Sequence, residues 1–236
     1  MDQHLDNPIW HALVGPHAPL AIGGGAARHY RFDVAPFSAI AERAPAAYED
    51  LRIDWAPRSE ARLFRAAEEP APPGWETVSA RPMLQMIVED RRSVATARAE
   101  EREILPLGAS DIDAMLALVE LTRPGPFSRG RLLLGEHLGV KRDGRLVAMI
   151  GPRLRLPGLV EMSALCAHPA VRKTGIGTAL FTRLARDIFA AGDTPFFHVF
   201  ADNPAIELYR RLGAVTRTQL WVLWYRPVGG PPTPRG

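Results

Sequence analysis

The alternation of apolar and polar positions divides this chain into two unequal parts, each with helical and strand-like periods. In the first part the predicted helices are 8–13 and 36–52, and the predicted strands are 20–22, 29–32, 61–66 and 82–88. In the second part the predicted helices are 110–121, 176–191 and 204–212, and the predicted strands are 104–107, 138–141, 146–154, 160–167, 196–200 and 220–225. We therefore predict domains at 1–90 and 104–228, a linker at 91–103 and a disordered tail at 229–236.

Turn residues sharpen several of these boundaries. Gly23-Gly24-Gly25 lies between two predicted strands, and no helical pattern follows it directly, so it predicts a hairpin turn and not a phosphate loop. Asp143-Gly144 between apolar runs predicts a second hairpin. Ser110 and Asp113 have the spacing of a capping arrangement at the start of the predicted helix 110–121. Gly192 is placed to end the predicted helix 176–191.

Composition limits the classes of function. The chain has 236 residues, 47% of them hydrophobic and 23% charged, and its net charge of +3 is too small to indicate nucleic-acid binding. No apolar run is long enough to span a bilayer, and the first residues are polar and acidic where a signal peptide would be basic and then apolar. We expect a cytoplasmic protein. The single cysteine, Cys166, excludes internal disulfides, and no Cys/His spacing indicates a metal site.

The segment Arg172-Lys173-Thr174-Gly175-Ile176-Gly177 connects the predicted strand 160–167 to the predicted helix 176–191. A glycine-rich turn between a strand and a helix N-terminus directs several backbone N–H groups outward, and the helix dipole adds positive charge. The two glycines let an anion approach the main chain, and Arg172 and Lys173 add formal charge. We predict that this segment binds a pyrophosphate.

Two common phosphate loops do not fit this segment. A P-loop requires Lys and then Ser or Thr after its glycines, and Thr178-Ala179 stands there instead. A dinucleotide fingerprint requires a third glycine where Leu180 stands. A protein that binds ATP or NAD is therefore the less favoured interpretation.

The spacing of Arg172, Gly175 and Gly177 resembles the Arg/Gln-x-x-Gly-x-Gly/Ala segment of the GNAT superfamily, the acetyl-CoA-dependent N-acetyltransferases. Residues 198–213, HVFADNPAIELYRRLG, resemble its second signature, in which a strand ends at Asn and a short helix carries Leu-Tyr-x-x-Leu-Gly. Similar stretches at 121–127, 163–169 and 193–199, and looser ones at 7–13 and 82–86, indicate a bacterial subgroup with an extra N-terminal domain.

The resemblance implies an α+β GNAT fold with a central, mostly antiparallel sheet that splays between strands 160–167 and 196–200. A smaller, degenerate GNAT-like domain would precede it. The pantetheine arm of acetyl-CoA, as co-substrate, would fill the gap like an added strand. The implied cofactor-binding residues are Leu165, Cys166, Ala167, Arg172, Lys173, Thr174, Gly175, Ile176, Gly177, Thr178 and Asn203. Asn203 also has a second interpretation, as the cap of the short helix.

The implied activity is direct transfer of an acetyl group from acetyl-CoA to a primary amine of a small molecule or peptide. Tyr209 matches the tyrosine that is the general acid in many GNAT enzymes, with simple packing as the alternative. Glu161 stands where a number of GNAT enzymes carry a general base, with an exposed strand glutamate as the alternative. Further candidate bases are His137, His168 and His198. A covalent acyl-enzyme on Cys166 is disfavoured because no activating base is evident.

The acceptor is not indicated by the sequence. The loop 122–129 and surfaces of the first part are expected to wall its site, with Phe127 and Trp224 as contributors or as ordinary packing aromatics. The spacing from Asn203 to Tyr209 is one residue shorter than is usual in the superfamily, and Ala214 replaces the usual Phe. The sequence therefore does not fix the orientation of the Tyr209 side chain. These departures support an alternative function, a catalytically silent acyl-CoA-binding or regulatory module. We expect a monomer or homodimer that binds neither nucleic acid nor membrane.

Overall fold

The computed structural model describes residues 3–53, 60–95 and 103–229. Contacts divide the chain into two compact units: one holds Met1–Phe32, Pro36–Leu84 and Gln219–Gly236, and the other holds Asp33–Ala35 and Gln85–Thr218. Most of the expected linker and nearly all of the expected tail lie outside the described residues. The linker's first residues, Arg91–Ala95, form a short helix, α3.

The first unit contains a three-stranded antiparallel sheet and its covering helices. Its elements are α1 (Pro8–Leu13), β1 (Ala21–Ile22), β2 (Ala27–Tyr30), β3 (Ser38–Ile40), α2 (Pro45–Ile53) and β4 (Ala61–Arg65). Strands β1 and β2 pair antiparallel on either side of the triple glycine, so the hairpin prediction is confirmed. The helix predicted over 36–52 is wrong in its first part, because the buried residues of β3 pair with β2. The helix begins only at Pro45, a residue suited to a first turn.

The second unit contains the larger part of the chain. Its remaining elements are β6 (Leu105–Leu107), α4 (Ile112–Thr122), β7 (His137–Arg142), β8 (Arg145–Leu156), β9 (Leu159–Ala167), α5 (Ile176–Ala190), β10 (Thr194–Phe200) and α6 (Ile206–Arg211). Two long strands, β5 (Trp75–Val88) and β11 (Ala214–Pro227), contribute residues to both units. The strand order in the second unit is β11-β5-β10-β9-β8-β7-β6. Strands β6 to β9 are antiparallel neighbours and β9 is parallel to β10, so the predicted mixed, mostly antiparallel sheet is confirmed.

Helix α5 buries the face that its sequence period predicts. Ile176, Leu180, Leu184 and Ile188 are all buried. Gly192 has a φ of 90° and donates its N–H to Phe189 O, which ends the helix as predicted. Because this face packs against β9, the helix N-terminus lies close to the end of that strand.

The capping arrangement predicted from Ser110 and Asp113 is wrong, because the N-cap residue of α4 is Asp111 and the helix has no side-chain cap hydrogen bond. Asp111 Oδ2 accepts the backbone N–H of Gly108 at 3.0 Å. Asp113 instead accepts a hydrogen bond from Arg129 Nη2. The bond between Asp111 and Gly108 belongs to the capping box of the 3-10 turn Ala109–Asp111, which precedes the helix.

Strands β9 and β10 pair only over their first residues. The paired residues are Leu159 with Thr194, Val160 with Pro195 and Glu161 with Phe196. Further along, β9 carries one residue more than β8 between the pairs Ser163–Gly151 and Cys166–Met149, and Ala164 there has a φ of 55°. Such a bulge bends and twists its strand. The predicted splay between these two strands is therefore confirmed, and the bulge lies just beyond their last pair.

Gly151 on β8 packs against the ring of His137, and a Cβ at residue 151 would overlap that fully buried ring. We expect Gly151→Ala to lower the free energy of unfolding by about 1–3 kcal/mol through overpacking. Urea denaturation measures this loss. Gly108→Ala is the control, because a Cβ there meets no atom within 4 Å. Equal stability of the two variants would contradict the packing described here.

Candidate active site

The loop between β9 and α5 has the geometry of an anion cradle. Lys173 and Gly175 both have left-handed backbones, with φ values of 60° and 80°, and such residues turn successive N–H groups to one side. Thr174 Oγ1 donates to Val171 O at 2.7 Å and closes the turn. The helical ladder begins where Ala179 N–H donates to Gly175 O, so the N–H groups of residues 176–178 stand ahead of it.

Backbone conformation explains only one of the two glycines in this cradle. Residue 175 has a φ of 80°, which favours glycine. Gly177 lies inside α5, where glycine costs about 1 kcal/mol relative to alanine. A Cβ at either position meets no atom within 4 Å. The space in front of both glycines is thus open, as an approaching anion requires.

The last residues of β9 differ in where their backbone groups point. His168 N–H donates to Val147 O at 2.8 Å, and neighbouring residues of an antiparallel ladder face opposite sides. Ala167 therefore directs its backbone groups toward the gap beside β10, where its carbonyl accepts from Arg172 Nε at 3.3 Å. Cys166 pairs with Met149 of β8, and Leu165 adjoins the bulge at Ala164.

The thiol of Cys166 is buried and unreactive. Burial raises its pKa to about 11, and the opposing effects of Thr122, the Met149 backbone and Arg172 are smaller. Only a thiolate attacks a thioester, so this group is not a nucleophile at neutral pH. The structure therefore gives the acyl-enzyme alternative no support.

Tyr209 on α6 packs between two rings and keeps its hydroxyl protonated. Its ring stacks on Phe181, with centroids 5.5 Å apart, and meets Phe197 edge-on at 4.7 Å. Burial raises its pKa. None of the described residues forms a hydrogen bond with this hydroxyl. The ring of Tyr209 is thus a packing residue, as the alternative interpretation expects. This packing leaves its hydroxyl available to donate a proton.

Asn203 stabilises the turn that precedes α6. Its Oδ1 accepts the N–H of Ala205 at 2.8 Å, but the N-cap residue of α6 is Ala205 and the helix has no side-chain cap hydrogen bond, so neither Asp202 nor Asn203 holds the cap position. Gly213 follows the helix with a φ of 85°, and the side chain of Ser93 occupies the space next to it. The contact with Ser93 attaches α3 to the end of α6.

Glu161 is fully buried, so the exposed-glutamate interpretation is wrong. Arg153 donates to both carboxylate oxygens, with Nε at 2.8 Å from Oε2, and His198 Nδ1 lies 2.6 Å from Oε1. Burial by itself would raise the pKa of Glu161, but Arg153 and then His198 outweigh it and hold this pKa at about 2. A carboxylate held so firmly in its charged form is a poor proton acceptor at neutral pH.

The hydrogen bonds fix the tautomer of His198. Because a carboxylate can only accept, Nδ1 carries the proton and Nε2 accepts from Gln85 Nε2 at 3.0 Å. Arg217 Nη1 donates to Gln85 Oε1 at 2.8 Å, which sets the orientation of the amide. Burial lowers the pKa of His198 despite the nearby Glu161, so its ring is neutral at neutral pH.

The other candidate side chains have structural partners. His137 donates from Nδ1 to Gly135 O, and burial together with Arg131 lowers its pKa to about 4. His168 Nδ1 accepts the N–H of Ala170, as a turn residue does. Phe127 packs edge-on against His137 in the second unit. In the first unit, Trp224 lies under the guanidinium of Arg62 at 4.3 Å.

Sequence reasoning missed three members of the Glu161 network: Arg153, Gln85 and Arg217. They lie on β8, β5 and β11, far apart along the chain, and only the strand order brings them together. No local spacing could have shown this. Within 3–53, 60–95 and 103–229, no helix is long and apolar enough to cross a membrane, and no cluster of acidic, His or Cys side chains suits a metal ion.

Comparisons with known proteins agree with this geometry. The family model of FR47-like proteins matches residues 137–222. A solved structure from Novosphingobium aromaticivorans, assigned to the GNAT family, has 32% identity and a TM-score of 0.85, over 97% of this chain and 100% of that chain. No curated protein sequence matches the chain significantly. The chain belongs to the GNAT superfamily, a superfamily of acyltransferases.

More distant structures share the fold. A GCN5-related N-acetyltransferase from Kribbella flavida has 18% identity and a TM-score of 0.58, over 89% of this chain and 90% of that chain. One from Sphaerobacter thermophilus has 16% identity and a TM-score of 0.52, over 87% of this chain and 78% of that chain. At these identities the likeness concerns the architecture of the chain alone.

The single cysteine permits a direct test of the buried thiol. With a pKa raised to about 11, far less of Cys166 is thiolate at pH 8 than in the unfolded chain. We expect iodoacetamide to alkylate the native protein at least about a hundredfold more slowly than the urea-unfolded protein, as followed by intact mass. Comparable rates in the two states would show an accessible, activated thiol and reopen the acyl-enzyme mechanism.

Proposed function

We propose that this protein is an acetyl-CoA-dependent N-acetyltransferase whose acceptor is a primary amine of a small molecule or peptide. One observation carries the proposal: β9 and β10 part after Glu161 and Phe196, and β9 then leads to the glycine-rich cradle between its end and α5. A gap flanked by unpaired strand edges suits the two amides of pantetheine, and an N–H cradle beside it suits a diphosphate.

In this proposal the cofactor lies along β9. The pantetheine amides bond the main chain between Leu165 and Ala167, with Cys166 between them. The diphosphate rests on the N–H groups from Lys173 to Thr178, and Arg172 adds charge at the rim. Asn203, whose Oδ1 holds the α6 turn, has its amide N–H₂ as the group to offer the cofactor.

Tyr209 is the proposed proton donor to the departing thiolate. Its phenol is protonated at neutral pH because burial raises its pKa. Phe181 and Phe197 hold the ring in place, so the hydroxyl needs little reorganisation to reach a sulfur in the gap. Glu161 is charged and accepts two hydrogen bonds from Arg153, so we do not assign it as the base. Its proposed role is to orient neighbouring side chains.

Acetyl transfer is tested with the purified protein, acetyl-CoA and a panel of primary amines that includes amino acids, polyamines, arylalkylamines and short peptides. Amine-dependent release of free thiol, with an acetylated product of the expected mass, would support the proposal. Calorimetry with acetyl-CoA runs in parallel. Tight binding with no thiol release from any amine would overturn the enzyme in favour of the silent acyl-CoA-binding module.

Gly177→Ala distinguishes a role of this glycine in binding the diphosphate from a role in folding. Alanine is the better helix former and meets no atom, so we expect a gain of up to about 1 kcal/mol in unfolding free energy. The added methyl lies where the diphosphate approaches, so the affinity for CoA should fall by at least about tenfold, or about 1.4 kcal/mol. Thermal unfolding and calorimetry measure the two effects. Unchanged CoA affinity would place the diphosphate elsewhere.

Tyr209→Phe removes the proton donor and keeps the ring contacts with Phe181 and Phe197. We expect turnover to fall at least about tenfold, with CoA affinity unchanged, because the hydroxyl acts only on the leaving group. Tyr225→Phe is the matched control: this buried hydroxyl donates to Glu69 O in the first unit, so its loss should reduce stability and not turnover. Equal turnover in wild type and Tyr209→Phe would remove Tyr209 from the mechanism.

A further inference from the structure

His198 lies at the narrow end of the gap. The last pair between the strands joins Glu161 of β9 to Phe196 of β10, and His198 follows on the same side of β10 as Phe196. The Glu161 carboxylate reaches forward from β9 to His198 Nδ1. A histidine and a carboxylate thus meet where the two strands begin to part.

His198 and Tyr209 lie on opposite faces of β10. Phe197, which alternates with His198 along the strand, is the residue that contacts Tyr209. His198 instead contacts Phe196 and Glu161. The two side chains therefore lie on opposite faces of the sheet, and His198 spans from Glu161 of β9 at Nδ1 to Gln85 of β5 at Nε2.

The basic atom of His198 is held by a donor that another N–H can replace. Nδ1 is protonated and bound to Glu161, so the lone pair of the ring is on Nε2 and accepts from Gln85. Arg217 holds the oxygen of Gln85, so this amide can offer only its N–H to the ring. An ammonium N–H is a donor of the same kind and needs no change of tautomer.

The charges around His198 suit a group that accepts a proton. Glu161 on β9 faces it directly, Arg153 on β8 lies behind that carboxylate, and Arg217 on β11 lies behind Gln85 of β5. Burial and Arg153 keep the ring neutral, while Glu161 stabilises the imidazolium once a proton arrives. Glu161 has the position of the aspartate in a Ser-His-Asp triad, where a carboxylate orients an imidazole.

From this geometry we propose that His198 Nε2 is the proton acceptor for the attacking amine and that Glu161 is its positioning residue. This inference rests on the proposed acetyltransferase function. It moves the base from the carboxylate at 161, where the family resemblance would place it, to the imidazole that this carboxylate holds.

The proton transfers balance. His198 Nε2 takes one proton from the substrate ammonium, and the neutral amine forms an N–C bond to the thioester carbonyl. The C–S bond breaks and its electron pair remains on sulfur, which receives a proton from Tyr209. Tyr209 recovers a proton from the former amine nitrogen through solvent, and His198 releases its own to solvent.

The test compares two nucleophiles that differ in their need for a base. Hydroxylamine is largely unprotonated at neutral pH, whereas ethylamine is almost entirely ammonium. Both are supplied at high concentration to the full-length protein with acetyl-CoA, and the uncatalysed thiol release is subtracted. We expect His198→Gln to reduce the catalysed reaction of ethylamine about a hundredfold and that of hydroxylamine by less than about threefold. His11→Gln in the first unit is the matched control and should alter neither rate.

The outcomes separate this inference from the function on which it rests. Equal losses for both nucleophiles, or no loss for ethylamine, would overturn His198 as the base while the acetyltransferase stands. A wild-type protein that accelerates neither amine would overturn the acetyltransferase and the base together. Thermal unfolding verifies that each variant is folded.

Nitrogen-15 NMR of the wild-type protein and of Glu161→Gln reports the protonation of His198 without an activity assay. We expect His198 to be neutral at pH 7 with its proton on Nδ1, and in Glu161→Gln to protonate only at a lower pH, because that variant removes the charge that favours the imidazolium. A proton on Nε2, or a titration unchanged by Glu161→Gln, would contradict the proposed dyad.

Discussion

The early end of the β9–β10 ladder is the constraint on which the site depends. Backbone N–H and C=O groups that leave a ladder need other partners, and a strand edge inside a sheet is costly unless something pairs with it. The bulge at Ala164, with its positive φ, bends β9 just beyond its last pair with β10. The gap is therefore built into the fold, and its edges suit the amide-containing arm that we propose for it.

The buried network at the narrow end of the gap is the second part of the same design. Glu161 belongs to the last pair of the ladder, and its bonds to Arg153 and His198 join β8, β9 and β10 where the sheet begins to open. Removing one member of such a pair leaves an uncompensated buried charge, which costs about 3–5 kcal/mol. The network thus joins the strands at the start of the gap and sets the protonation of His198.

Sequence reasoning succeeded where structure is local and failed where it is not. The face of α5, the hairpin at Gly23-Gly24-Gly25 and the glycine cradle follow from short spacings, and all three are present in the structure. The sequence favours a helix over residues 38–40, because a strand of three residues is too short to show a period of its own, and only the structure shows its pairing with β2. The environment of Glu161 was unpredictable for a related reason: its partner Arg153 and the Gln85 and Arg217 beyond His198 come from separate strands.

The most direct test of the central claim is residue-resolved amide hydrogen exchange with and without CoA. We expect CoA to slow exchange at Leu165 and Ala167 of β9 and at Ile176, Gly177 and Thr178 of α5, because in the proposed complex pantetheine and diphosphate bond those groups. Exchange in the β1–β2 hairpin should not change. Saturating CoA that leaves the β9 and α5 amides as fast as in the free protein would contradict the gap and the cradle as the cofactor site.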